Sequence, residues 1–209
     1  MKLKVVIVDY GVGNTHSVAN AIKVLGYQVE ISKEVDKIRN AHALILPGVG
    51  AFEKAINNLR EHNLDEILSE EVLIKAKPIL GICLGMQMMA TISEENGLHK
   101  GLNWIPGKVV KLAPENNLPV PHVGWNNLEI RDGKLYNRLA DSPHFYFDHS
   151  FHFRPDNASH ISAICNYAGE VIAAIQFNNI CGVQFHPEKS QIAGLKVFRS
   201  FLNSVLQNA

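Results

Sequence analysis

Along its first half the chain alternates short β-branched runs with segments whose apolar positions recur every three or four residues. That is the pattern of a parallel sheet with crossover helices. Residues 5–9 read as a strand buried on both faces. After the turn Gly11-Val12-Gly13-Asn14, the apolar positions Val18, Ile22 and Leu25 line one side of a helix that Gly26 ends. Strands follow at 28–31 and 43–46, the second stopped by Pro47-Gly48. Helices are predicted over 51–59 and 64–76, a strand over 78–82 and a further helix over 86–92. Beyond about Gly107 the runs shorten and turn residues separate them, which favours antiparallel strands. Runs 171–177 and 180–185 flank Asn178-Asn179, a pair that tolerates the positive φ of a tight hairpin. Leu195, Phe198, Phe201, Leu202 and Val205 mark a closing amphipathic helix over 193–206. The pattern predicts an α/β fold: a mixed, mainly parallel central sheet flanked by helices, with an antiparallel C-terminal extension.

Composition narrows the function classes. The 209 residues suit one domain, expected to span 1–209, and 46% hydrophobic against 19% charged residues excludes wholesale disorder. Lys plus Arg and Asp plus Glu are 20 each, so no excess of positive charge favours nucleic acid or an anionic membrane. No apolar run approaches a membrane span, and the run after Lys4 is too short for a signal peptide, so a cytoplasmic location is expected. Three widely spaced cysteines, without a CxxC pair, argue against a disulfide framework and a zinc knuckle.

One of those cysteines stands where a nucleophile would. Gly81-Ile82-Cys83-Leu84-Gly85 places Cys83 at a strand-to-helix junction between two glycines. A sharp elbow needs such neighbours without Cβ atoms, and the start of a helix favours a thiolate. The alternative is a buried strand cysteine between packing glycines. A cysteine nucleophile needs a base and the base an orienting group, and His186-Pro187-Glu188 supplies both. In extended chain His186 and Glu188 face the same side and Lys189 the other. Donors for an oxyanion are expected from the N–H of Leu84 and from the Val49 and Gly50 turn, where Gly48 and Gly50 leave the intervening peptide two orientations.

The segments PGVGAF (47–52), GICLGMQ (81–87) and GVQFHPEKS (182–190) resemble the class I, or triad, glutamine amidotransferases. VDYGVGN (8–14), PHVGWN (121–126) and YFDHSF (146–151) are similar, within that family, to the glutaminase subunits of imidazole glycerol phosphate synthase. The motifs fall in family order along nearly the whole chain, and the resemblance implies a flavodoxin-like domain. It implies that Cys83 attacks the side-chain amide of L-glutamine, that His186 delivers a proton to the departing ammonia, and that Glu188 orients His186. It places glutamine along Gly48, Gly50, Gln87, His149, Ser150 and Phe151. It implies no cofactor, and passage of the ammonia to a separate (β/α)8 barrel cyclase that makes imidazole glycerol phosphate and AICAR in histidine biosynthesis. The resemblance also implies that Asn14, Trp125, Tyr146 and Lys189 lie in the segments that contact that barrel. Trp125 as core and Lys189 as a solvated charge remain the simpler readings of those two residues.

The chain departs from the family at Asp148, where an apolar residue is usual and a buried charge would be costly, and at Thr15-His16. Some relatives feed ammonia to a related barrel that builds amidino groups on surface sugars, and residues 97–102 suit that branch. A flavodoxin-like cysteine peptidase or deglycase, and a non-catalytic binding subunit, are the other classes. Gly11-Val12-Gly13 lacks the third glycine of a dinucleotide loop, since His16 stands there. His149 and His152, three apart, have no companions that complete a metal site, and Cys165 and Cys181 read as packed thiols.

Overall fold

The computed structural model describes residues 3–115, 118–131, 135–136, 139 and 143–207. The first half runs β1 (Lys4–Val8), α1 (Thr15–Val24), β2 (Gln28–Ser32), α2 (Val35–Asn40), β3 (Ala43–Gly48), α3 (Phe52–Glu61), α4 (Leu64–Ser69), β4 (Ile79–Cys83) and the single turn α5 (Leu84–Gln87). The remainder is β5 (Ile92–Ser93), β6 (His99–Lys100), β7 (Gly107–Lys111), β8 (His122–Asn127), β9 (Glu129–Ile130), β10 (His144–His149), β11 (Phe151–Pro155), β12 (Ile161–Asn166), β13 (Glu170–Phe177), β14 (Ile180–Val183) and α6 (Gln191–Gln207).

Eight strands form the central sheet in the order β2-β1-β3-β4-β14-β13-β12-β9. Pairing is parallel from β2 to β14 and antiparallel from there to β9, which is the mixed sheet with an antiparallel extension that the pattern predicts. Strand alternation sorts the apolar residues onto two faces. Val5, Ile7, Ala43, Ile45, Leu80 and Ile82 pack against α1 and α6. Val6, Val8, Leu44, Leu46 and Ile79 pack against α3 and α4. Each fully buried aliphatic side chain here contributes roughly 1.5–3 kcal/mol. Among the described residues no helix is long and apolar enough to cross a membrane.

Two smaller sheets cover the C-terminal ends of the parallel strands. One is the ribbon of β8 and β10, and the other has the order β11-β7-β5-β6. The second replaces the helix predicted over 86–92. That helix stops after one turn because residues 102–105 capture the carbonyls its continuation needs. The N–H of Leu102 goes to Met88 O, those of Trp104 and Ile105 to Met89 O, and that of Asn103 to Ala90 O. The sequence pattern alone does not contain those partners.

Candidate active site

Three parallel strands deliver their C-terminal ends to one place, where open α/β sheets bind ligands. Register pairs Gly48 of β3 with Cys83 of β4, and Val183 of β14 with Ile82. Cys83 takes φ 53° and ψ −110°, a conformation that costs a non-glycine residue energy and that tertiary packing must hold. That packing needs the flanking glycines: a Cβ on Gly85 would run into the Leu46 carbonyl, and one on Gly81 would press on Met86 N and the Gly85 carbonyl carbon. Gly48 is held the same way. It lies in β3, and a Cβ there would sit 2.8 Å from Gly85 N and 2.9 Å from Leu84 Cβ. Rotational freedom expected of the pair Gly48 and Gly50 therefore belongs to Gly50 alone, at φ +91° with open space around it. The Tyr10 hydroxyl, also buried, donates to Pro47 O at 2.6 Å and braces the same turn. Burial, with the charge of Cys83 adding to it, pushes that phenol well above its ordinary range.

His186 is 2% exposed and its Nδ1 lies 2.9 Å from Glu188 Oε1. The pair meets differently from the sequence expectation. β14 ends at Val183, and Pro187–Lys189 is a 3-10 turn, so the turn brings the carboxylate back rather than strand alternation. Ser190 ties the turn down, its hydroxyl donating to His186 O at 2.6 Å and accepting from Tyr146 N at 3.0 Å. Burial works to strip the proton from His186. Hydrogen bonding and charge from Cys83, together with those from Glu188, outweigh burial and push the imidazole up to about 10.

A cavity of about 270 Å³ opens beside the cysteine, with Val49, Gly50, Leu84, Gln87, His149, Ser150, Phe151 and His186 in its wall. Of the residues expected to hold glutamine, only Gly48 is absent from that wall. Gln87 is 4% exposed, and its Nε2 already donates to Phe151 O at 2.8 Å and Gln184 Oε1 at 3.1 Å. What it offers a ligand is therefore the acceptor Oε1. Two further residues escaped the sequence reading. Glu95 lines the cavity and anchors the start of α3 by accepting from Phe52 N at 2.8 Å. Gln184 is fully buried with its Nε2 3.5 Å from Cys83 Sγ. A glutamine between two apolar residues of a strand was the signal available for the second; nothing local marks Glu95.

The ribbon has two faces. His122, Phe145, Phe147 and His149 point inward and are buried, while Val123, Trp125 and Asp148 are exposed. Trp125 is 49% exposed and meets Tyr146 edge-on at 6.2 Å, which excludes the reading of Trp125 as core. Lys189 Nζ lies 5.1 Å above the Tyr146 ring and 3.9 Å from Asp148 Oδ2. Lys189 thus has a carboxylate within its own chain. Asp148 carries no buried charge, because the alternation that turns His149 inward turns its side chain out, 46% exposed. Asn14 opens α1, which packs against the 3-10 turn at Pro187–Lys189.

Other candidates have structural partners. His149 and His152 lie on separate strands, and His152 Nδ1 faces Ile172 N at 3.4 Å. Among the described residues no group of three or more His, Cys, Asp or Glu is placed to hold a metal. Gly13 packs on Pro47, where a Cβ would come within 3.2 Å of the ring. Burial pushes the Cys165 thiol up to about 12, and Cys181 is buried in β14.

A mixed α/β sheet with a strained cysteine elbow and a buried His–Glu pair at one cavity is an arrangement suited to thiol chemistry. The family model described as glutamine amidotransferase class-I matches residues 6–204, and the chain belongs to that family. It is 48% identical to the imidazole glycerol phosphate synthase subunit HisH 2 of Vibrio vulnificus, over 97% of this chain and 95% of that one. It is 41% identical to the subunit HisH of Pelagibacter ubique, over 96% of this chain and all of that one. Among solved structures it shares its fold with a chain of PurLQS from Thermotoga maritima, at a TM-score of 0.73 and 20% identity, covering 98% and 100% of the two chains.

Proposed function

We propose that this chain, as one glutaminase domain over its 209 residues, hydrolyses L-glutamine and passes the ammonia to a (β/α)8 cyclase in histidine biosynthesis in the cytoplasm. The observation that carries the reading is the convergence of Cys83 and His186 on one small cavity, with Glu188 bonded to the imidazole behind it. The near full-length likeness to subunits of imidazole glycerol phosphate synthase supports the acceptor.

Glutamine enters with its side-chain amide at Cys83. Its α-ammonium group calls for an anion, and Glu95 supplies a carboxylate in the cavity wall. The sulfur attacks the amide carbon, and the N–H groups of Leu84 and of the Val49-Gly50 turn receive the charge that develops on oxygen. His186 holds its proton partly through the charge on Cys83. That support vanishes as the sulfur acylates, so the proton is released to the departing nitrogen when it is needed. Ammonia leaves, and water, deprotonated by the now neutral His186, hydrolyses the thioester. Thiol, imidazole and water suffice, and no cofactor is called on.

Incubating the purified chain with glutamine, alone and with a barrel cyclase, and assaying glutamate and ammonia tests this. Glutamate should form, and faster with the barrel. Absence of glutamine hydrolysis in both conditions would return the chain to the peptidase, deglycase or binding classes. A second reading is a paralogous subunit that feeds a related barrel for amidino-sugar synthesis, the branch that residues 97–102 suit. The barrel that binds and stimulates the chain separates the two.

The exposed Trp125, beside Tyr146 and Lys189, is the proposed anchor for that barrel, with Asn14 at its margin. A half-exposed tryptophan buried on docking is a frequent hot spot, at about 2 kcal/mol or more. Trp125→Ala should weaken the complex about 30-fold, read by titration calorimetry. An unchanged Kd would place the docking face elsewhere.

A further inference from the structure

Gln184 follows the end of β14 between Cys83 and Gln87 of the cavity wall, and nothing in the triad accounts for it. Its side chain has no exposure to solvent. Its orientation follows from its neighbours. The carbonyl of Phe151 only accepts, so Gln87 must turn its Nε2 toward it. The second hydrogen of that Nε2 then points at Gln184, which must answer with Oε1 at 3.1 Å. With the oxygen committed, the Nε2 of Gln184 faces Cys83 Sγ at 3.5 Å as a donor.

The Phe151 carbonyl that starts this sequence is itself anchored. His149 Nδ1 donates to it at 2.9 Å, which leaves His149 Nε2 to accept from His122 Nδ1 at 3.1 Å. His122 Nε2 in turn faces the Asn126 amide at 3.4 Å, and Asn126 also donates to Asn166 O at 2.9 Å. A run of directed hydrogen bonds therefore extends from the residue beside Trp125 to the sulfur of Cys83. Gln87 Nε2 spends its two hydrogens on Phe151 O and Gln184 Oε1, so the amide of Gln184 has one orientation.

We propose that Gln184 is a further catalytic residue, whose amide donates a hydrogen bond to the Cys83 sulfur and stabilises the attacking thiolate. The inference rests on the reading of Cys83 as the glutaminase nucleophile. A hydrogen bond to a charged partner is stronger than one to a neutral group, so Gln184 favours the thiolate over the thiol. It also holds the sulfur in one rotamer toward the cavity, while the buried run behind it keeps the amide from turning its oxygen to the sulfur.

The test uses two variants and the intact protein. Gln184→Met removes the donor at similar volume. Gln184→Glu keeps the oxygen that Gln87 needs and sets a second oxygen against the sulfur. Alkylation of Cys83 by iodoacetamide at pH 7, followed by mass spectrometry, should slow about 10-fold in Gln184→Met and further in Gln184→Glu. Glutamine turnover should lose kcat by 10- to 100-fold with KM within threefold. A packing role alone leaves the sulfur as reactive as before, or more so, and wild-type alkylation rates in either folded variant overturn the proposal. In the unmodified protein the Gln184 side-chain amide should exchange slowly and shift in NMR spectra when Cys83 is alkylated. Free exchange and an unmoved resonance overturn it without any variant. Cys83→Ala assayed in parallel separates the two readings: if it retains turnover, the nucleophile assignment fails, whereas normal alkylation in the Gln184 variants removes only the role of Gln184.

Discussion

Replacing Cys83 with alanine should lower glutamine hydrolysis by about 10⁴-fold or more, since loss of a nucleophile removes the covalent route and not one contribution to it. The fold should survive. Cys83 is small, 6% exposed and held at its unusual φ by the surrounding strands and glycines, not by its sulfur. The sulfur lies 3.5 Å from Gln184 Nε2 and 4.0 Å from Asp148 O, both of which remain near their places when it is removed. In a complex with the barrel, synthesis from added ammonium salt should continue at the wild-type rate, because in the proposed mechanism the thiol serves amide hydrolysis alone. Glutaminase and ammonia-dependent synthesis are measured side by side. Retention of glutaminase within tenfold, about 1.4 kcal/mol of barrier, means another residue attacks.

The second large effect concerns stability in acid. Burial pulls the imidazole of His149 down to about 3, and those of His122 and His152 down to about 4. All three are under 7% exposed, and the bond from His122 Nδ1 to His149 Nε2 requires the accepting His149 to be neutral. In the unfolded chain each takes a proton near pH 6.5. Below that pH the unfolded state therefore binds up to three more protons than the folded state, and stability falls with falling pH, toward about 4 kcal/mol per pH unit at the full difference. His186 does not offset this. Its folded pKa of about 10 lies above the unfolded value, so below pH 6.5 it is charged in both states. Urea unfolding at pH 7, 6 and 5 reads the slope. Equal stability at pH 6.5 and 5 would mean that these histidines are protonated in the folded protein.

Much of the fold is legible in the chain because its signals are local. The unbroken apolar runs in residues 5–9 and 43–46, Gly26 at a left-handed cap of φ 85° and Asn178 at φ 51° in the hairpin each act within a few residues. The short helix α2 and the strands β5 and β6 were not legible, being too short to carry a period. The predicted helix over 86–92 failed for a different reason. Its residues are good helix formers, and the segment around Leu102 to Ile105 outcompetes the helix for their carbonyls.

The same division runs through the site. Cys83 between its glycines and His186 two residues before Glu188 are readable because a strand-to-helix elbow and an imidazole with its orienting carboxylate are short-range requirements of the chemistry. Their meeting was legible only as a chemical requirement, a nucleophile needing a base, and through the resemblance, since about a hundred residues separate them. Tertiary structure alone decided that a 3-10 turn aims Glu188, that β3 pins Gly48 while Gly50 stays free, and that Lys189 finds Asp148 within its own chain. It alone placed Glu95 in the cavity wall and Gln184 on the sulfur. Sequence determines which backbone shapes and chemical groups are available, because propensity and periodicity act on neighbours. Which of those groups become partners is set by strand register and by competition among distant donors and acceptors, and those exist only once the sheet has formed.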